Sequence, residues 1–387
     1  VDNILTGIPR FTVLTLTALG AIACGASNSH SSHGTANQSS RSAAFNDAGQ
    51  SDAASQGCGL HTSFPGDEDC ILPPDPDEGV QMHVGPADYD NPDAMWVLPP
   101  GGEITQCYHL YTSNDVGRYY YKQQYRMRPG SHHMIIIASN DTTSPEGWGP
   151  CTTTIVGAIG GTQHPIEDLP PGGVVPPEDE GLGRGLDPHS ALDFQLHHYN
   201  PTDHPVLREV WVNFLYKPKE EVTTNLGMLG GLTPVSVPPH TMTTVGNVCD
   251  VADAIASMPV RIVTLFGHAH AHNTRFAVYH DKADGTSDTV YDSYDGAEAP
   301  TYSYNSIVQN PVPDPVGRVS GASSGILALS ANERLRFACD INNTTDNTLT
   351  STNEVFTGEM CNLFGSVAGL GFPCFKLAPG TKPPAMP

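Results

Sequence analysis

The residues with the most chemistry to offer are histidines, of which the 387-residue chain has 17. His132 and His133 are adjacent, follow a Pro129-Gly130 turn and open the apolar run Met134 to Ile137. His197 and His198 close the run that ends Phe194-Gln195-Leu196. His268, His270 and His272 alternate with alanine and asparagine after the apolar run Arg261 to Phe266. Taken singly, each reads as an exposed or hydrogen-bonded bystander. Spacing changes the reading. Residues two apart on a strand face one way, about 7 Å from each other, so His268 and His270 suit two ligands of one ion. Adjacent residues face opposite ways, so His132 and His133 reach one ion only if the backbone there is irregular. Alternation puts His197 on a face with Gln195 and Tyr199, and only one of His197 and His198 should point inward.

The segments that carry these residues read as strands. Runs of β-branched and aromatic residues broken by Pro, Gly and Asn predict strands at Met134–Ala138, Ala191–His197, Glu209–Tyr216, Arg261–Phe266, Arg275–Tyr279 and Leu335–Ala338. Gly and Pro number 39 and 34, and charged residues are 15%, against about 25% in ordinary soluble chains. Helical bundles are therefore disfavoured. The expected fold class is all-β, with two tandem antiparallel β-sandwiches of jelly-roll type. A break at Lys217-Pro218-Lys219 divides them into 79–218 and 219–387, and the acidic, proline-rich stretch Leu169–Gly185 reads as loop. Lys plus Arg is 18 against 41 for Asp plus Glu, a net charge of −23. That sign argues against nucleic acid or anionic lipid as a partner.

Arg10 precedes an apolar run over 11–23, too short for a bilayer span of about 20 residues, which ends Ala21-Ile22-Ala23-Cys24. Residues 1–24 read as an export signal with Cys24 as the lipidation site, a plain secretory signal being the alternative. The Ser-, Ala-, Asn- and Gln-rich residues that follow cannot offset their ordering entropy and read as a disordered tether over 25–78. The expected location is the cell envelope, on the periplasmic or outer-membrane face, with the lipid as the membrane contact. Setting Cys24 aside leaves eight of nine cysteines, an even number suited to disulfides in an oxidising compartment. No CxxC pair supports a thiolate zinc site or c-type haem.

The carboxyl-terminal piece adds Gly358-Glu359-Met360-Cys361-Asn362-Leu363-Phe364. Alone, Met360 would read as core packing. A doubled histidine before a strand, a strand-end histidine about 65 residues on, an HxH about 70 further and a Met-Cys-Asn near the end change that. Together they resemble the copper type II, ascorbate-dependent monooxygenases, the family of peptidylglycine α-hydroxylating monooxygenase and dopamine β-monooxygenase. The resemblance covers roughly 79–375. It implies two copper ions per chain, one held by His132, His133 and His197 and the other by His268, His270 and Met360, in domains facing each other across a cleft. It implies the bridges Cys107–Cys151, bracing the His-His strand, Cys339–Cys361 and Cys249–Cys374, and leaves Cys58 and Cys70 to pair locally. The implied activity is hydroxylation of a substrate C–H bond with O₂ and an external electron donor, ascorbate or an envelope reductant. A thioether favours Cu(I), the form that meets O₂, so His268, His270 and Met360 are the catalytic set.

The substrate-binding positions depart from that family. Its peptide-amidating members hold an arginine two residues before the HxH and a tyrosine four after the methionine. Here these are Phe266 and Phe364, with Asn362 retained. Losing a charged donor and a hydroxyl implies a small apolar substrate. His272 and His198 read as bystanders near the ligands. A metallo-β-lactamase pattern would need Asp where Ala271 stands. Gly321-Ala322-Ser323-Ser324-Gly325 fits G-x-S-x-G, but no histidine follows His280 to complete a triad in hydrolase order. A non-catalytic copper-binding or storage lipoprotein needs the same ligands and is the alternative.

Overall fold

Alternation of large apolar residues with small or polar ones folds this chain into strands, and the only helices among the described residues are three-residue 3₁₀ turns. The computed structural model describes residues 58–373 except 152–157, 250–258, 296–298, 308–320, 331 and 370. The longer strands of this all-β fold are β1 (Gly79–Val84), β2 (Glu103–Tyr111), β3 (Arg118–Met127), β4 (Ser131–Ala138) and β5 (Ala158–Thr162). Next come β6 (Leu182–Leu186), β7 (Ala191–Tyr199), β8 (Val210–Lys217), β9 (Thr224–Thr233) and β10 (Thr241–Cys249). The last are β11 (Val260–Ala269), β12 (Asn273–Asp281), β13 (Ser287–Ser293), β14 (Arg334–Asn343) and β15 (Cys361–Ala368).

An eleven-stranded sheet runs β1-β8-β3-β6-β9-β15-β11 and on to the short Tyr302–Ser303 strand. A five-stranded sheet, Gly147–Gly149 followed by β2-β7-β4-β5, packs on its first part around Tyr120, Met134, Phe194 and Phe214. A four-stranded sheet, β10-β14-β12-β13, packs on its second part around Leu265, Phe276, Phe337 and Leu363. Each half thus has its own core. The large sheet passes between them where β6 and β9 pair in parallel, Leu182 with Thr224 and Gly183 with Asn225. A third, small apolar cluster of Tyr121, Leu182, Leu226 and Val263 lies at that join.

Two expectations of extent are corrected. Within Leu169–Gly185, expected as loop, the chain enters β6, because Leu182 and Leu186 are buried and Gly183 lies where a Cβ would meet Val222 at 2.7 Å. Residues 58–78, expected as tether, are folded onto the first half. Cys58 is bonded to Cys70, and Asp67 pairs at 2.8 Å with Arg128, which is fully buried. The side chains of Gln81 and Asn213 donate to the carbonyls of Ile71 and Leu72 at 3.0 Å. This anchoring is polar and covalent, so apolar composition did not reveal it. Cys24 and the rest of 1–57 lie outside the described residues.

Cys107–Cys151 and Cys339–Cys361 are disulfides with Cα separations of 4.9 and 5.9 Å. Cys249 is also disulfide-bonded, and its expected partner Cys374 lies outside the described residues. These bridges belong to a chain that folds in an oxidising, exported setting. Cys107 sits on β2, so its bridge holds the strand that pairs with the His197 strand, and it reaches the His132-His133 strand only through β7. The G-x-S-x-G segment forms an isolated bridge from Gly321 to Asp292 with no helix after it, unlike a nucleophile elbow.

Candidate metal centre

β4 pairs with β7 from Leu192–Ala138 as far as His197–His133, and there the register slips so that His198 lies opposite Ser131. His132 is therefore the extra residue of a β-bulge. The bulge supplies the irregularity that two adjacent histidines need. His132, His133 and His197 share one side, with ring centroids 5.1 to 5.4 Å apart. Gly130, at φ +91°, makes the turn into β4, where a Cβ would meet Val206 at 2.8 Å.

β11 delivers the remaining imidazoles. Thr264 is opposite Ser366 of β15, Phe266 opposite Phe364, and His268 opposite Asn362. Continuing that register puts His270 and Met360 on the next rung of the same face. The His268 ring lies 4.6 Å from that of His133, and the His270 ring 5.4 Å from that of His132 and 5.9 Å from that of His197. All five rings belong to residues at most 6% exposed. The structure thus interleaves the two expected ligand sets in one buried cluster, where two sets facing across a cleft were expected. Strand ends from both halves point at one spot.

Two triads place one nitrogen per residue within 4.8 Å of the others: His132, His133 and His268, and His132, His197 and His270. Both cross between the halves, and they share His132. Met360 is half-buried, and the Asn362 side-chain amide donates to its Sδ at 3.5 Å, which orients the thioether. Both ring nitrogens of His133 and of His270, and Nδ1 of His197, are buried without a hydrogen-bond partner. Leaving a buried polar atom unmet costs about 1–3 kcal/mol, which a cation accepting those lone pairs offsets. The residues therefore fit a metal ion of nitrogen and soft-donor preference.

Burial and neighbouring imidazoles hold the pKa values of His133 and His268 well below 6.5. Burial, then His197, pushes His270 down to about 4. Burial also lowers His197, against the pull of Glu103. The cluster is therefore neutral in these imidazoles at pH 7, the form that ligates metal.

No known protein-family model matches the chain, and no curated protein matches it significantly.

Three residues outside the ligand sets support the cluster. Glu103 accepts from His197 Nε2 at 2.9 Å and from the Val355 amide, linking a cluster histidine of the first half to the loop that leads to Met360. With Nε2–H donated there, His197 presents Nδ1 to the cluster. Glu359, fully buried, accepts from the amides of His270, His272 and Met360, so one carboxylate ties the HxH to the methionine. Burial pushes its pKa up to about 7 against those amides. Gln163, just past β5, donates to the Ala269 carbonyl at 3.0 Å, between His268 and His270. The acid before Met360 was the one signal visible in the sequence.

His198 is buried on the other side of β7, away from the cluster, where burial and Arg208 keep its pKa well below 6.5. His272 lies outside the cluster, its Nε2–H donating to the Phe356 carbonyl at 2.9 Å. Phe266 and Phe364 pack as a tilted pair with centroids 5.5 Å apart, and the Phe364 ring lies 6.3 Å from that of His268, forming an apolar wall beside the imidazoles.

Proposed function

We propose that this chain is a copper-dependent monooxygenase of the copper type II, ascorbate-dependent kind, carrying two copper ions and hydroxylating a C–H bond of a small substrate. The observation that carries the reading is the convergence of His132, His133, His197, His268 and His270, from both halves, into one buried cluster with Met360 on the adjoining rung. Imidazoles suit copper in both oxidation states, and a thioether favours Cu(I). Copper bound there would supply one-electron chemistry with O₂. The net reaction is R–H + O₂ + 2 electrons + 2 protons → R–OH + H₂O, the electrons coming from ascorbate or another small reductant.

The chain's own residues hold and shield that chemistry. Glu103 fixes the tautomer of His197, and Glu359 and Gln163 fix the backbone that presents His268 and His270. Asn362 orients the Met360 thioether. Phe266 and Phe364 turn an apolar face to the approaching substrate and keep water from the imidazoles. The disulfides agree with an exported protein, which we extend to an envelope lipoprotein anchored at Cys24.

The test is X-ray absorption on reduced, copper-loaded protein. A copper–sulfur shell is expected in the wild type and absent in Met360→Ala, with about two coppers per chain by mass spectrometry. A sulfur shell that survives Met360→Ala overturns the ligand assignment. Near-complete burial of the five histidines also favours a second reading, copper retention without turnover. Oxygen consumption with ascorbate above that of free copper excludes it.

A further inference from the structure

Between the halves lies a cleft, and Phe266 forms part of its lining. Its position follows from the β11–β15 ladder. Thr264 and Ser366 line the cleft, hydrogen-bonded to each other at 2.7 Å, and the Phe266–Phe364 pair is the next rung. His268 is one rung further, about 7 Å on for two residues of strand. A molecule lying along this face would have one end against Phe266, which packs on Phe364 one rung from His268.

The wall contributed by the first half carries a cation. Arg184, on β6, lines the cleft, and among the described residues its guanidinium has neither an ion pair nor a hydrogen bond. This is notable in a chain with 41 acidic residues against 18 basic ones. The acidic residue in the same cleft, Asp179, is already committed to Arg261 and to the Tyr121 hydroxyl. Tyr125 and Gln123 hydrogen-bond to each other at 2.8 Å beside it. Arg184 is thus an uncommitted bidentate donor facing a cleft whose far end is aromatic.

We propose that the cleft is the substrate site and that the substrate is an amphipathic carboxylate, its anionic group held by Arg184 and its apolar end laid against Phe266. The inference rests on the monooxygenase reading for the word substrate, but binding can be tested without it. It moves the charged anchor from the position two residues before the HxH, where Phe266 stands, to the opposite wall. The substrate is then apolar only at its reacting end.

The experiment is calorimetric titration of the disulfide-intact protein, both metal-free and copper-loaded, with 4-phenylbutanoate and its neutral amide. Wild type should bind the carboxylate about ten- to hundred-fold more tightly than the amide, the range of a charge-assisted hydrogen-bonded pair. Arg184→Gln, a change at a half-buried site, should abolish that preference while leaving amide binding unchanged, and Arg184→Lys should keep part of it. Phe266→Leu should weaken both probes and keep the preference. Failure of both probes to bind wild type, or a preference that survives Arg184→Gln, overturns the proposal. Carboxylate binding as expected but no O₂- and ascorbate-dependent hydroxylated product sinks the monooxygenase reading and leaves the cleft assignment standing.

Discussion

Acidification of the metal-free protein should cost it stability, by an amount the histidine cluster sets. His270 has a pKa of about 4 when folded and about 6.5 when unfolded. Because the folded value is depressed, the unfolded chain binds more protons as pH falls below 6.5, and stability is lost until the folded group also titrates near 4. At pH 5 this amounts to about 2 kcal/mol for His270. Burial and the neighbouring imidazoles also hold His133 and His268 well below 6.5, so they lose stability in the same direction. Glu359 works the other way. Its folded pKa of about 7 lies above the ordinary 4.5, so it gains stability as pH falls through 7, about 2 kcal/mol by pH 5. His270 and Glu359 thus nearly offset each other, and the acid loss of the cluster is carried by His133, His268 and His197, whose pKa values are also lowered. Urea unfolding in a chelator, followed by the fluorescence of Trp96, Trp148 and Trp211, measures it. His270→Asn should reduce the loss by about 2 kcal/mol, and saturating copper should displace the acid limb to lower pH. A pH dependence that His270→Asn leaves unchanged would refute the placement of that imidazole as buried and neutral.

Two further outcomes follow from contacts around the cluster. Opening Cys339–Cys361, 22 residues apart in sequence, by Cys361→Ser should destabilise the fold by about 3 kcal/mol, read as a lowered urea midpoint. It should also weaken copper binding, because Met360 precedes the bridge. Glu103→Ala removes the acceptor of His197 Nε2–H and of the Val355 amide, and should lower metal affinity about ten- to hundred-fold in a chelator competition. An unchanged dissociation constant would mean that Glu103 positions nothing.

What could be read from the sequence was what local spacing encodes. The apolar runs at Met134–Ala138 and Arg261–Phe266 lie within β4 and β11, and the HxH parity placed His268 and His270 on one face. What escaped reading depends on partners distant in the chain. Whether His132 and His133 face together is decided by a register slip against β7, and that slip is a property of the pair of strands. The Glu103–Val355 hydrogen bond spans 252 residues, and nothing near Glu103 announces it. β6 reads Leu-Gly-Arg-Gly-Leu, glycine-rich enough to pass for loop, and becomes a strand only because β3 and β9 flank it. Separation into two sandwiches suggested two sites. Close docking of the halves produced one cluster.

That docking has an energetic consequence. Each half keeps its own large core, whereas the apolar cluster at the join has four buried members. Much of the remaining contact is polar: Arg261 with Asp179, Ser306 with Glu178 at 2.9 Å, Thr301 with Glu167 at 3.1 Å, and Gln163 with Ala269. Such contacts contribute far less net stability apiece than core burial does. An ion held by a triad that crosses the halves binds the docked arrangement and not the separated one, so its binding free energy adds to docking. Linkage then runs in both directions: whatever loosens the join lowers metal affinity by the same free energy that metal binding contributes to the join. The cleft lined by Arg184 and Phe266 is walled by the same two halves, so its shape is set by the same equilibrium.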